Sequence, residues 1–251
     1  MVVTTTAIAF IVLSAGLGFC GWWFLRAFRK SGGLKNNQKI GFLLSLFFLG
    51  FSLHSFVVGL SGLFFPYSEI YFSLLVFTHS LLGLLALLGV SMIYHIFLPK
   101  SSVYSALLPV FFLGVLTIFI TVLIHPEPTI TGGNSLDFNL GPILSFCVWI
   151  LSLISIGMPL IVFSRLFLFS KDVELKILSL LISVLAFLGI FNVSIQLLKF
   201  LDISENVRSK MFDAGISLVG VGFVIFLASL SFARKRLGVS KKISPRVHAE
   251  N

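Results

Sequence analysis

The sequence predicts an all-α membrane protein, a bundle of seven transmembrane helices. Three observations lead there: the composition, the length of the apolar runs, and the one-sided placement of the basic residues. Hydrophobic residues fill 57% of the 251 positions and charged residues only 11%, with a mean hydropathy of +1.09. A water-soluble fold of this size has too much surface to cover with so little polar material. The abundant phenylalanines, 29 in all, suit lipid-facing and helix-packing surfaces alike.

The apolar runs are Ala7–Leu25, Gly41–Phe65, Ile70–Leu98, Val103–Ile124, Gly141–Phe163, Leu175–Leu198 and Met211–Phe232. Each approaches or exceeds the ~20 residues that carry a helix across a hydrocarbon core. Inside lipid every backbone N–H and C=O must be satisfied within the chain, which leaves helices or barrel strands. The runs are too long for strands and do not alternate, so they are helices. Met1 to Thr6 contains no Lys or Arg, and the first run leads into Trp22-Trp23 and a basic cluster. That pattern lacks the positive start and small-residue cleavage site of a signal peptide, so the run is expected to be a retained span.

The basic residues set the orientation. Arg26, Arg29, Lys30, Lys35 and Lys39 follow the first run, Lys100 follows the third, and Arg165, Lys171 and Lys176 join the fifth and sixth. Arg234, Lys235, Arg236, Lys241, Lys242 and Arg246 follow the seventh. These fifteen fall on one side. Only Lys199, Arg208 and Lys210 fall on the other. The N-terminus is therefore expected outside and the C-terminus inside, in the cell membrane, and the net charge of +9 reflects topology rather than nucleic-acid binding. Residues 1–237 form the membrane domain, and residues 238–251 a short basic cytoplasmic tail expected to be disordered.

The hairpin from Lys39 to Pro99, turned at Pro66-Tyr67-Ser68-Glu69, organises the rest. The connection from His125 to Leu140 is the one long loop; its Pro, Gly, Asn and Ser residues predict an ordered outer cap or hairpin. Ser14, Gly18 and Gly21 in the first run share a helix face, as do Ser45, Ser52, Ser55, Gly59 and Gly62 in the second. Asp213, Ser217 and Gly220 do so in the seventh. Such small residues let helices approach closely. Pro109 and Pro159 lie within helices and should kink them. Cys20 and Cys147 lie in apolar runs and form no disulfide framework or zinc spacing.

Two constellations carry candidate chemistry. Folding the chain at Pro66 places His54 and His79 at similar depth, about a third of the way in from the turn. Buried ionisable groups are costly in a membrane and point to function. Two imidazoles at one depth suit the axial ligation of haem b. Helices joined by a short turn, however, pack at about 8–10 Å and leave little room for a porphyrin. The plainer reading is a neutral imidazole hydrogen-bonded to a serine or carbonyl of a neighbouring helix. His95 lies about 160° around the helix from His79 and reads as an interfacial residue. The second constellation is Asn192 and Gln196, at i, i+4 on one face, joined at similar depth by Asp213. With His54 and His79 they outline a small ligand pocket in the outer third of the bundle, or else polar contacts between helices worth roughly 0.6 kcal/mol each. No hydrolase, metalloprotease or nucleotide-binding motif occurs. The seventh run has no lysine for a retinal Schiff base and no histidine for a zinc hydrolase.

The outside N-terminus, the Trp22-Trp23 then Arg26 exit from the first helix, the tight second and third connections, and the basic exit Arg234-Lys235-Arg236 give a layout. It resembles the seven-helix sensor region at the N-terminus of many bacterial membrane histidine kinases. The resemblance implies a non-enzymatic sensor-like or scaffold subunit without a cofactor. Because the sequence ends at Asn251 without a catalytic domain, such a subunit signals through a cytoplasmic or membrane partner. A haem b electron-transfer subunit using His54 and His79, and a small-solute transporter, are the alternatives.

Overall fold

The computed structural model describes residues 4–30, 35–64, 67–97, 102–131, 135–169, 173–195, 197, 204, 207, 210–211, 213–222 and 225. The expected basic tail, with Arg234-Lys235-Arg236, and Gln196 lie outside the described residues. The class is all-α. Helices α1 (Thr5–Lys30), α2 (Lys35–Phe64), α3 (Ser68–Phe97), α4 (Tyr104–Ile124), α5 (Gly141–Phe169) and α6 (Val173–Ile195) follow in order. A further helix, α7, is described over Asp213–Gly222. Among the described residues, five helices are long and apolar enough to cross a membrane: Thr5–Arg26, Phe42–Phe64, Ser68–Phe97, Tyr104–Ile124 and Gly141–Phe169. That is the build of an integral membrane protein.

The helices overrun the apolar runs. α1 starts two residues before Ala7 and ends five after Leu25, and α5 continues six past Phe163. Hydropathy marks the slab of lipid, whereas the helix ends where its hydrogen bonds do. Thr4 supplies the start of α1, since its Oγ1 accepts the Ala7 N–H at 3.2 Å, the bond of an N-cap threonine. Beyond Leu25 the Arg26 guanidinium lies 5.3 Å from the Trp22 ring, so the helix leaves the apolar slab with its cation covered.

Successive helices alternate in direction, so the starts of α1, α3, α5 and α7 share one end of the bundle. The predicted outer cap sits at that end as an antiparallel hairpin, β1 (Thr129–Thr131) and β2 (Ser135–Asp137), in register Ile130↔Leu136. It begins where His125, at φ 47°, donates its N–H to Thr121 O and ends α4. It is anchored through Leu136, 2% exposed, whose N–H donates to Thr6 Oγ1 at 3.0 Å. Tyr71 adds a hydroxyl bond to the Phe138 carbonyl at 3.4 Å and a stacked ring at 6.5 Å.

The small residues work as their spacing predicts. Ser14 Oγ donates to Ser52 O and Ser52 Oγ to Ser14 O, both at 2.8 Å, so α1 and α2 exchange hydrogen bonds across one crossing. A Cβ at Gly18 would lie 2.9 Å from Ser52 Oγ, and one at Gly21 would lie 3.0 Å from the Leu49 backbone nitrogen. At the hairpin end Gly59 and Gly62 of α2 face Ala7 of α1. The pairs α2–α3, α3–α5 and α5–α6 also pack. α7 closes the circuit. Gly215 and Gly222 meet Asn192 and Leu185 of α6, and Gly220 meets Val12 of α1. Six helices thus form a ring.

α4 stands outside that ring. It lies against α3 and α5, touching α3 where a Cβ on Gly83 would come within 3.4 Å of the Gly114 Cα. Its other face, with Phe112, Phe119 and Leu123 more than half exposed, is the one lipid covers. Helices α4 and α5 run on through Pro109 and Pro159. A proline has no N–H to give, so the carbonyls of Ser105 and Ser155 lose their helical donors.

Close approach at the α1–α2 crossing yields a stability prediction. At Gly59 a Cβ would sit 2.8 Å from Ile11 Cγ1 and 3.2 Å from Ala7 O. Gly59→Val should therefore cost roughly 1–3 kcal/mol through overpacking. Gly157→Ala, where nothing lies within 4 Å, should leave stability unchanged or raised. Thermal unfolding of the detergent-solubilised protein checks both.

Candidate functional site

A partly open cavity of about 150 Å³ lies among the ring helices. All six ring helices line it, with Phe10 from α1, Phe47 from α2, Leu82 from α3, Ser152 from α5, Asn192 from α6 and Ile216 from α7; α4 contributes nothing among the described residues. The lining is overwhelmingly apolar. Its polar members are His54, Ser55, Ser152 and Asn192, which all come from the hairpin-side half of the bundle. Toward the other end lie Leu17, Phe48 and Ile182, and behind Phe48 an aromatic group closes the floor. Phe24 stacks on Phe48 with centroids 5.4 Å apart, and both lean on Phe163 at 6.1 and 6.5 Å.

Asn192 is one of the four polar residues of the lining. It is 5% exposed, and its Oδ1 is buried with no hydrogen-bond partner. The side chain fills the gap left by Gly215, where a Cβ would collide with the carboxamide. His54 lines the cavity below it with its ring against Phe51, centroids 6.0 Å apart.

His79 is turned elsewhere. It is 3% exposed and its Nδ1 lies 2.7 Å from Thr121 Oγ1 of α4. Thr121 Oγ1 itself donates to the Thr117 carbonyl at 2.7 Å. The hydroxyl has one proton, so it accepts from His79, and Nδ1 is the nitrogen that carries hydrogen. A chain of bonds, His79 to Thr121 to Thr117, therefore fastens α4 to α3. The partner is a threonine hydroxyl of a neighbouring helix.

Asp213 occupies a third place. Its Oδ2 accepts from Thr5 Oγ1 at 2.7 Å and its Oδ1 from Thr6 Oγ1 at 2.8 Å. Thr6 Oγ1 in turn accepts the Leu136 N–H. One carboxylate thus joins α7, α1 and the hairpin at the end of the bundle. Of the sequence candidates, His54 and Asn192 share the cavity wall. His79 faces α4, Asp213 faces the α1 start, and Gln196 lies outside the described residues. Among the described residues, no group of three or more His, Cys, Asp or Glu gathers as a metal site.

Sequence reasoning missed Ser152 in the wall, Thr121 as the imidazole partner and Thr5–Thr6 as the partners of Asp213. The last pair carried a signal: a run of threonines just before an apolar stretch is the start signature of a helix, which puts hydroxyls at its end. Ser152 and Thr121 carried none, because the azimuth of two helices that are distant in sequence decides what they meet. No protein-family model matches the chain, and no curated protein or solved structure matches it significantly.

The carboxylate junction gives a second prediction. Asp213→Ala removes two charge-assisted hydrogen bonds and should cost roughly 1–3 kcal/mol. Hydrogen exchange at the Leu136 amide should also speed up, because Thr6 is then free to turn away. Thermal unfolding and exchange mass spectrometry measure the two effects.

Proposed function

We propose that this chain is a non-enzymatic, sensor-like integral membrane subunit that holds a small ligand in its helix ring and acts through a protein partner. In this reading seven helices cross the cell membrane with the N-terminus outside. The partner then docks on the basic cytoplasmic face, where the layout of sensor regions from histidine kinases places the signal output. The cavity carries the reading. A ring of six helices around a partly open apolar chamber offers one site that touches every ring helix. Pocket sites between helices are a common ligand location in bundles. No charged residue lines the cavity among the described residues, and a solute carrier coupled to ions draws no support from it.

The test uses the full chain. Crosslinking in intact cells from a cytoplasmic C-terminal tag should retain one defined partner. Replacing Arg234, Lys235 and Arg236 together by alanine should remove it while thermal stability stays the same. Retention of no partner, or of the same partner after the replacement, overturns the proposal.

One detail favours the haem b alternative. The bond to Thr121 leaves Nε2 as the bare nitrogen of His79, the tautomer of a metal-bound imidazole. Against it, His54 lines the cavity and His79 does not. The expected absorbance spectrum of the purified protein has no Soret band. A Soret band lost on His54→Ala or His79→Ala would install haem instead.

A further inference from the structure

Both ends of the ring cavity are closed. At the hairpin end Ala9 of α1, Ile195 of α6 and Ile216 of α7 pack together as a buried apolar group. The hairpin is seated over that end, with the Leu136 N–H on Thr6 Oγ1. At the other end the stacked Phe24 and Phe48 rings, leaning on Phe163, close the floor. A chamber shut above and below, and still partly open, opens sideways between helices. In a membrane, hydrocarbon chains lie there.

Height and lining fit such a chain. The wall runs from Ile182 to Val193 on α6 and from Phe47 to Ser55 on α2. At 1.5 Å per residue these stretches are about 16 Å and about 12 Å long. One leaflet, half of a hydrocarbon core ~30 Å thick, has a similar depth. The long axis of the chamber follows the helices, as a lipid chain does. Its walls are overwhelmingly apolar, and walls around an unfilled space forfeit dispersion contacts that a hydrocarbon restores. No charged group lines it among the described residues. A charged headgroup drawn inside would be heavily penalised, so the chain enters and the head does not.

We infer that the ring cavity is a lateral binding site for one acyl chain of a membrane phospholipid, which enters between helices while its headgroup stays outside the ring. The inference rests on the ligand-holding part of the proposed function and names the ligand class. The binding is non-covalent. The bilayer itself supplies the ligand.

The experiment places the full chain in phosphatidylcholine nanodiscs doped with phosphatidylcholine that carries a diazirine midway along one acyl chain. Light fixes the probe to whatever its chain touches, and tandem mass spectrometry reads the labelled residue. Phe112, on the exposed face of α4, takes label from ordinary bilayer lipid and serves as the reference. Leu82 and Ile182, each 2% exposed, line the chamber and take label only from a chain inside it. The native protein should be labelled at both. Ala186→Phe, which fills the chamber, should lower that label roughly tenfold while label on Phe112 and thermal stability stay the same. Val219→Phe fills it from α7 and stands in if the first variant does not fold. The inference is overturned if Leu82 and Ile182 stay unlabelled in the native protein, or if a folded, filled variant keeps the native label. A parallel arm uses palmitic acid bearing the same diazirine; label from it without label from the phospholipid overturns the membrane-lipid source. Label in the chamber with no cytoplasmic partner sinks the proposed function and leaves the lipid site standing. A partner without label does the reverse.

Discussion

In hydrocarbon a polar group has no solvent to fall back on, and the whole arrangement of this bundle depends on that constraint. The exchange of hydrogen bonds between Ser14 and Ser52 shows how it is met. Each hydroxyl returns a bond to the other helix's backbone, and the crossing is held by reciprocity rather than by exclusion of water. The same solution recurs with different residues. Trp149 Nε1 donates to Ser194 Oγ at 3.2 Å between α5 and α6, and Ser164 and Ser183 meet at 3.3 Å lower on that pair. Single bonds of this kind are weak; together with the glycine contacts they fix which faces meet. Apolar surface cannot supply that choice, because lipid covers a leucine as well as a neighbouring helix does.

Much of the fold was readable because lipid imposes a simple code. The length of each apolar run gives a helix, and alternation of direction gives the end at which each connection lies. Small residues at three- and four-residue spacing correctly named the α1–α2 face, with Gly18 and Gly21 against Ser52 and Leu49. The turn-rich loop after His125 became the expected hairpin. Order around the ring was a different matter. The sequence of α4 is the most apolar of the five long apolar helices and the helix is the least buried of them, which fits a place outside the ring, but its seat on α3 is set by the contact between Gly83 and Gly114. That contact is set by the surfaces of two helices jointly.

The histidines show the same division between depth and azimuth. The short connection between α2 and α3 fixes how far each lies from the end of the bundle. Which way each points depends on 100° of rotation per residue and on the neighbours that chance to lie there. His79 found a threonine on α4, and His54 found a chamber. Asn192 was legible as a polar residue on a helix face, but the glycine opposite it, Gly215, makes the space it occupies. A small residue on one helix and a polar one on another form a site only once the ring brings them together.

The junction at Asp213 bears on how the chain is made. Its partners Thr5 and Thr6 precede it by 208 and 207 positions, so they are synthesised long before the carboxylate exists. Until the last stave arrives, the barrel of helices has an open seam, with two hydroxyls at its lip and the hairpin loosely seated. Assembly in the bilayer is therefore a waiting process in which early helices find one another while the fastening at Asp213 stays undone. A chain that stops short of Asp213 leaves Thr5 and Thr6 without that carboxylate and the seam between α1 and α6 uncovered.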